Sequence, residues 1–88
     1  MVRREILAFV RTKEVSRYIT DAVVVGRRLY GLRIAADMTQ NDVAIALQMR
    51  RPSVSDIEHG RRFPSYVEIV GFAALYQVSI VHLFVAGV

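Results

Sequence analysis

Three helix starts crowd the segment from Thr39 to Glu68, each written in local chemistry. In TQND, Thr39 offers a side-chain acceptor to the free N–H groups of a first turn, and Asp42 three residues on makes a variant of the capping box. In RPSVSDIEHG, Pro52 suits the first helical position, where its missing N–H loses no partner, and Gly60 suits the end. In PSYVE, Ser65 and Glu68 form a second capping box. Arg51 precedes a proline and is pushed off the α region, so the helix begun at Thr39 must stop near Gln48. Two short helices joined by a tight turn form a helix-turn-helix unit.

The flanking pattern is helical as well. A helix over about 22 to 36, capped by Thr20 or Asp21, carries an apolar stripe of Val25, Leu29, Leu32 and Ala36. Gly26 and Gly31 each weaken it by roughly 1 kcal/mol relative to Ala, so packing must hold it. Asp37 is placed to take the left-handed turn at its end. Val43, Ala44 and Leu47 form the inner face of the second helix, and Val54, Ile57 and Glu58 that of the third. The small Ala44 permits a close crossing, against which Val54 packs. Tyr66, Ile69, Phe72, Ala73 and Tyr76 line one face of a fourth helix, and a short fifth starts at Ser79 with Ile80, Leu83 and Phe84. Residues 1–20 fit neither helical nor strand period cleanly, and helix is the favoured reading. The expectation is an all-α, compact five-helix domain over residues 21–88, preceded by an N-terminal extension over 1–20.

With 88 residues and no cysteine, the chain has a small core and no disulfide or thiolate metal site. Yet 53% of it is hydrophobic, more than one small core absorbs. The surplus sits off the core face of the fourth helix, at Val67, Val70, Ala74 and Leu75, and continues through Val81, Val85 and Val88. A homodimer using the fourth and fifth helices is the expected outlet, with residues 1–20 adding to it. The net charge is +4 and eleven of the twelve cations are Arg, the side chain suited to phosphate and guanine. The apolar runs ILAFV and IVHLFVAGV are too short for a signal segment or a membrane span, so a cytoplasmic location without membrane partners is expected. Nucleophile–base sets, metal-ligand spacings and glycine-rich phosphate loops are missing, so neither an enzyme nor a cofactor is expected.

The runs LRIAADMTQNDVAIAL, VSDIEHGRRFPS and FAALYQVSIVHLF at these separations resemble the Cro and phage-repressor class of helix-turn-helix domains, the xenobiotic-response-element class. The likeness runs from Val25 to Phe84. It implies a repressor-type fold whose third helix, about 52–59, enters the major groove of double-stranded DNA. By matching position, Arg51, Pro52 and Asp56 fall where members of the class touch base edges. Thr39, Gln40, Arg50, Ser53, Ser55, His59, Arg61 and Arg62 fall at or near phosphates, Gln40 through its amide and His59 through its backbone N–H. Glu58 is the exception, expected to pair with Arg33 of the first helix as a structural ion pair. Three departures stand out. Gln48 occupies the turn position where the class carries Gly, Arg50 or Arg51 replaces a capping hydroxyl, and Pro52 stands among the base-contacting positions.

Two functions fit. One is a sequence-specific DNA-binding regulator, a repressor on a two-fold operator that acts by occupancy. The other is a protein-interaction module on the same scaffold, antitoxin-like or partner-binding, using the apolar surface.

Overall fold

The computed structural model describes residues 21–84. The N-terminal extension over 1–20, and Val85 and Val88 of the apolar surplus, lie outside the described residues. Five helices follow in order: α1 (Ala22–Ala35), α2 (Gln40–Leu47), α3 (Arg51–Glu58), α4 (Tyr66–Tyr76) and α5 (Ile80–Phe84).

The starts are capped as the residue types dictate. Asp21 accepts from the Val24 N–H at 2.9 Å, which settles the cap of α1. Thr39 Oγ1 accepts from Asp42 N–H at 3.0 Å while the Asp42 carboxylate accepts from Thr39 N–H at 2.8 Å. Ser65 and Glu68 repeat the exchange at 3.2 and 2.8 Å. Each box satisfies two N–H groups otherwise left open.

α3 corrects the expectation by one residue. Arg50 is its cap without a side-chain bond, Arg51 is already helical, and Pro52 stands second. The N–H at the second helical position has no carbonyl four residues back within the helix, so proline costs no bond there either. The crowding that proline imposes on Arg51 is overridden by the burial of Val54 and Ile57 on the inner face.

Three helices end on left-handed residues without glycine at that position: Asp37 (φ 57°), Gln48 (φ 54°) and Gln77 (φ 55°). Gly60 (φ 74°) follows α3. The last of the three, Gln77, carries no signal in its residue type.

α1 packs on α3, α4 and α5, while α2 packs on α3 and α4. The core between them is Val25, Leu29, Val43, Ala44, Val54, Ile57, Phe72, Ala73 and Leu83. Three expected placements differ. Ala36 caps the C-terminus of α1 and is exposed, because the helix ends before its stripe completes another turn. Tyr66 is 77% exposed, since the first turn of α4 projects beyond the core that Phe72 and Ala73 enter. Leu75 packs partly buried against the core and leaves the outer surface, whereas Val67, Val70, Ala74 and Val81 are exposed. No helix of the described residues is long and apolar enough to cross a membrane.

Gly26 permits the closest helix approach. A Cβ there would overlap the Ile57 carbonyl oxygen and lie 2.6 Å from that of Glu58. This draws α1 against the end of α3.

Candidate nucleic-acid interface

α3 divides by face. Val54, Ile57 and Glu58 are buried, and Arg51, Pro52 and His59 are exposed, with Ser53, Ser55 and Asp56 half-buried beside them. An eight-residue helix whose apolar residues are buried along one side presents its polar side as a ridge.

The anchor is ionic as well as apolar. Arg33 Nε donates to Glu58 Oε2 at 2.7 Å and Nη2 to Oε1 at 3.0 Å. Arg33 Nη1 donates to the Met38 carbonyl at 2.9 Å, which also ties down the α1–α2 turn. The carboxylate raises the Arg33 pKa above its ordinary value. The Tyr30 ring lies 5.2 Å from the guanidinium carbon. Nearby, burial pushes the Tyr76 hydroxyl up to about 12, and its oxygen has no hydrogen-bond partner among the described residues.

Gln40 stands at the first position of α2 and reaches α3. Its Nε2 donates to Glu58 Oε1 at 3.1 Å, and its Oε1 accepts from Arg51 Nη1 at 3.4 Å. Side-chain donation to Glu58 is a contact that sequence alone did not suggest. Eighteen positions separate the two residues, and only the crossing of α2 and α3 joins them.

The loop arginines separate. Arg61 is exposed and its Nη1 lies 3.3 Å from Asp56 Oδ1, a weak pair across two largely solvated side chains. Arg62 donates through Nη1 and Nη2 to both oxygens of Glu68, each at 2.9 Å, and through Nη1 to the Phe63 carbonyl at 3.2 Å. Its guanidinium, followed by the hydrogen bonds of the capping box, holds the Glu68 carboxyl at about 2. Arg62 therefore ties the α3–α4 loop to the capping box of α4, a role beyond the phosphate position expected for it.

The remaining expected contacts are placed as follows. Thr39 is exposed beside the start of α2, with its hydroxyl engaged in the cap. Arg50 is exposed at the start of α3. His59 N–H donates to the Ser55 carbonyl at 3.0 Å, so this backbone donor is already used within the helix. His59 Nδ1 lies 2.8 Å from the same carbonyl and 3.3 Å from Ser55 Oγ. A carbonyl only accepts, so the 2.8 Å contact is a hydrogen bond only with a proton on Nδ1.

A family model for the helix-turn-helix domain matches residues 24–83. The chain belongs to the helix-turn-helix family. Among solved structures, this helix-turn-helix domain is similar to the restriction-modification controller protein C.AhdI from Aeromonas hydrophila, with a TM-score of 0.67 and 32% identity over 72% of this chain and 96% of that one. It is similar to PlcR of Bacillus thuringiensis, solved with the peptide PapR7 and DNA, with a TM-score of 0.66 and 29% identity over 70% of this chain but only 22% of PlcR. The clp gene regulator ClgR from C. glutamicum shares the fold at a TM-score of 0.65 and 19% identity, over 70% of this chain and 80% of ClgR. No curated protein matches the chain. Family and fold together are those of a DNA-binding transcriptional regulator.

Proposed function

We propose that the protein is a repressor that binds a two-fold DNA site as a homodimer, with α3 in the major groove. The observation that carries this reading is the division of α3. Its inner side is fixed by Val54, Ile57 and the Glu58–Arg33 pair, while Arg51 and Pro52 project outward with Asp56 beside them. Arg51, Pro52 and Asp56 are the proposed base-contacting residues, Arg through guanine and Pro through a thymine methyl. Thr39, Gln40, Arg50, Ser53, Ser55 and Arg61 flank them as the phosphate-facing set. C.AhdI is a controller protein and PlcR was solved with DNA, which supports the assignment.

Dimerisation is supported by apolar side chains left outside the core. Val67 is 78% exposed, Val81 54% and Val70 41%. In the proposed dimer, joined through α4 and α5, the two copies of α3 are required to lie about 34 Å apart, one DNA turn.

Selection of bound duplexes from a random pool tests the reading. An inverted repeat with half-sites one turn apart is expected, with affinity falling steeply with salt. The second reading, a protein-interaction module, is favoured by apolar residues exposed away from α4 as well, Ile45 at 71% and Ile34 at 52%. Weak binding without sequence preference would decide for it.

A further inference from the structure

Gly31 stands in the interior of α1, where glycine weakens a helix, yet no neighbour requires it. A Cβ there would meet no heavy atom within 4 Å. The open space belongs to a cleft of about 350 Å³ between α1 and α5, lined by Arg27, Arg28, Gly31, Leu32 and His82. A turn of about 100° per residue places the four α1 residues of the cleft about 100–160° round the helix from Gly26, which lies against α3. The cleft is on the far side of α1 from α3, so DNA lying along α3 does not reach it. Arg28 Nη1 donates to the His82 carbonyl at 3.3 Å and to the Leu83 carbonyl at 3.0 Å, which fixes one guanidinium beside the cleft and closes the last turn of α5. Among the described residues, the Arg27 guanidinium and the His82 ring make no hydrogen bond or ion pair, and no carboxylate lines the cleft. Leu32, half-buried, supplies an apolar wall.

We propose that this cleft binds a small organic anion, a phosphate monoester with a compact apolar body. Arg27 and Arg28 hold its oxygens through charge-assisted hydrogen bonds, and the His82 ring donates one more. These three donor groups match the three terminal oxygens of a monoester, whereas a carboxylate offers only two. The apolar body lies over Gly31 against Leu32, in the space that a side chain at position 31 would fill. The volume is near the lower end of the range for ligand sites, roughly 300–1,000 Å³, which suits a single ring or short chain. Because Arg27 comes from α1 and His82 from α5, the bound anion joins the two helices.

The test is titration of the full chain with phenyl phosphate, followed by backbone amide shifts, with inorganic phosphate and benzoate as comparison probes. Saturable shifts are expected at Gly31 and His82, separate from any at Gln40 and Arg51, and the melting midpoint should rise with ligand. Phenyl phosphate should bind more tightly than inorganic phosphate by roughly tenfold, through the ring buried against Leu32, and more tightly than benzoate. Two variants locate the site. Arg27→Gln removes a donor that holds nothing else among the described residues, and Gly31→Met fills the cleft where a side chain meets no clash. Each should weaken the response at His82 by roughly tenfold or more, with thermal unfolding without ligand as the control for the fold. Shifts that spare Gly31 and His82, or a response at His82 that survives both substitutions, would overturn the site. Benzoate binding as tightly as phenyl phosphate would overturn the phosphate assignment.

Discussion

The Arg33 guanidinium and the Glu58 carboxylate meet through two hydrogen bonds, with side-chain exposures of only 10% and 2%. The pair joins α1 to α3 behind the proposed recognition face. Its net contribution over an apolar pair is small, because both ions lose their hydration, but removing one partner strands a buried charge. Glu58→Ala should therefore lower stability by about 3–5 kcal/mol, read as a shift in the urea midpoint. Replacing the pair by Met and Leu together should cost far less.

Gly26 and Gly31 lie on the same helix and should respond in opposite directions. A Cβ at Gly26 overlaps the backbone of Ile57 and Glu58, whereas one at Gly31 meets nothing within 4 Å. Gly26→Ala should destabilise by at least about 1–3 kcal/mol through overpacking. Gly31→Ala should stabilise by up to about 1 kcal/mol through helix propensity. Thermal melts of the two variants side by side check the contrast.

The Glu68 carboxyl titrates at about 2 in the folded protein against an ordinary 4.5, held down first by Arg62. A depressed folded pKa gives stability that is fully present above the unfolded value and is lost as pH falls toward the folded one. The melting midpoint should thus drop between about pH 4.5 and 2, and Glu68→Gln should remove that part of the drop. The effect should be about 1–2 kcal/mol, since Arg62 is partly solvated and the pair is screened accordingly. Melts across this range at constant ionic strength measure it.

Asp56 holds Arg61 at 3.3 Å and puts a carboxylate on the side of α3 proposed to face DNA. Asp56→Asn should shift preference at one base pair, where the carboxylate accepts from a cytosine amino group, by about 1–3 kcal/mol. A rise in affinity for every duplex alike, with the slope of log affinity against log salt steeper by about 0.9, the increment for one phosphate neutralised, would instead show that the carboxylate only repels phosphate and restrains Arg61.

What the sequence determined by itself is local. Capping boxes, the proline at the start of α3 and the turn at Asp37 act within three or four residues, so residue type and spacing suffice, whereas the turn at Gln48 was legible only through the resemblance. Those starts and stops, with the periodic Val25, Leu29, Val54 and Ile57, were enough to place the helices and the polar face of α3. Tertiary structure decided what depends on how helices cross. It used Gly26 as a point of backbone contact, turned Tyr66 outward and Leu75 inward, and engaged Arg62 with Glu68. The orientation of Gln40 belongs to the same class, since its partners arrive from a different helix and only their acceptor or donor character, once brought within reach, selects one end of the amide.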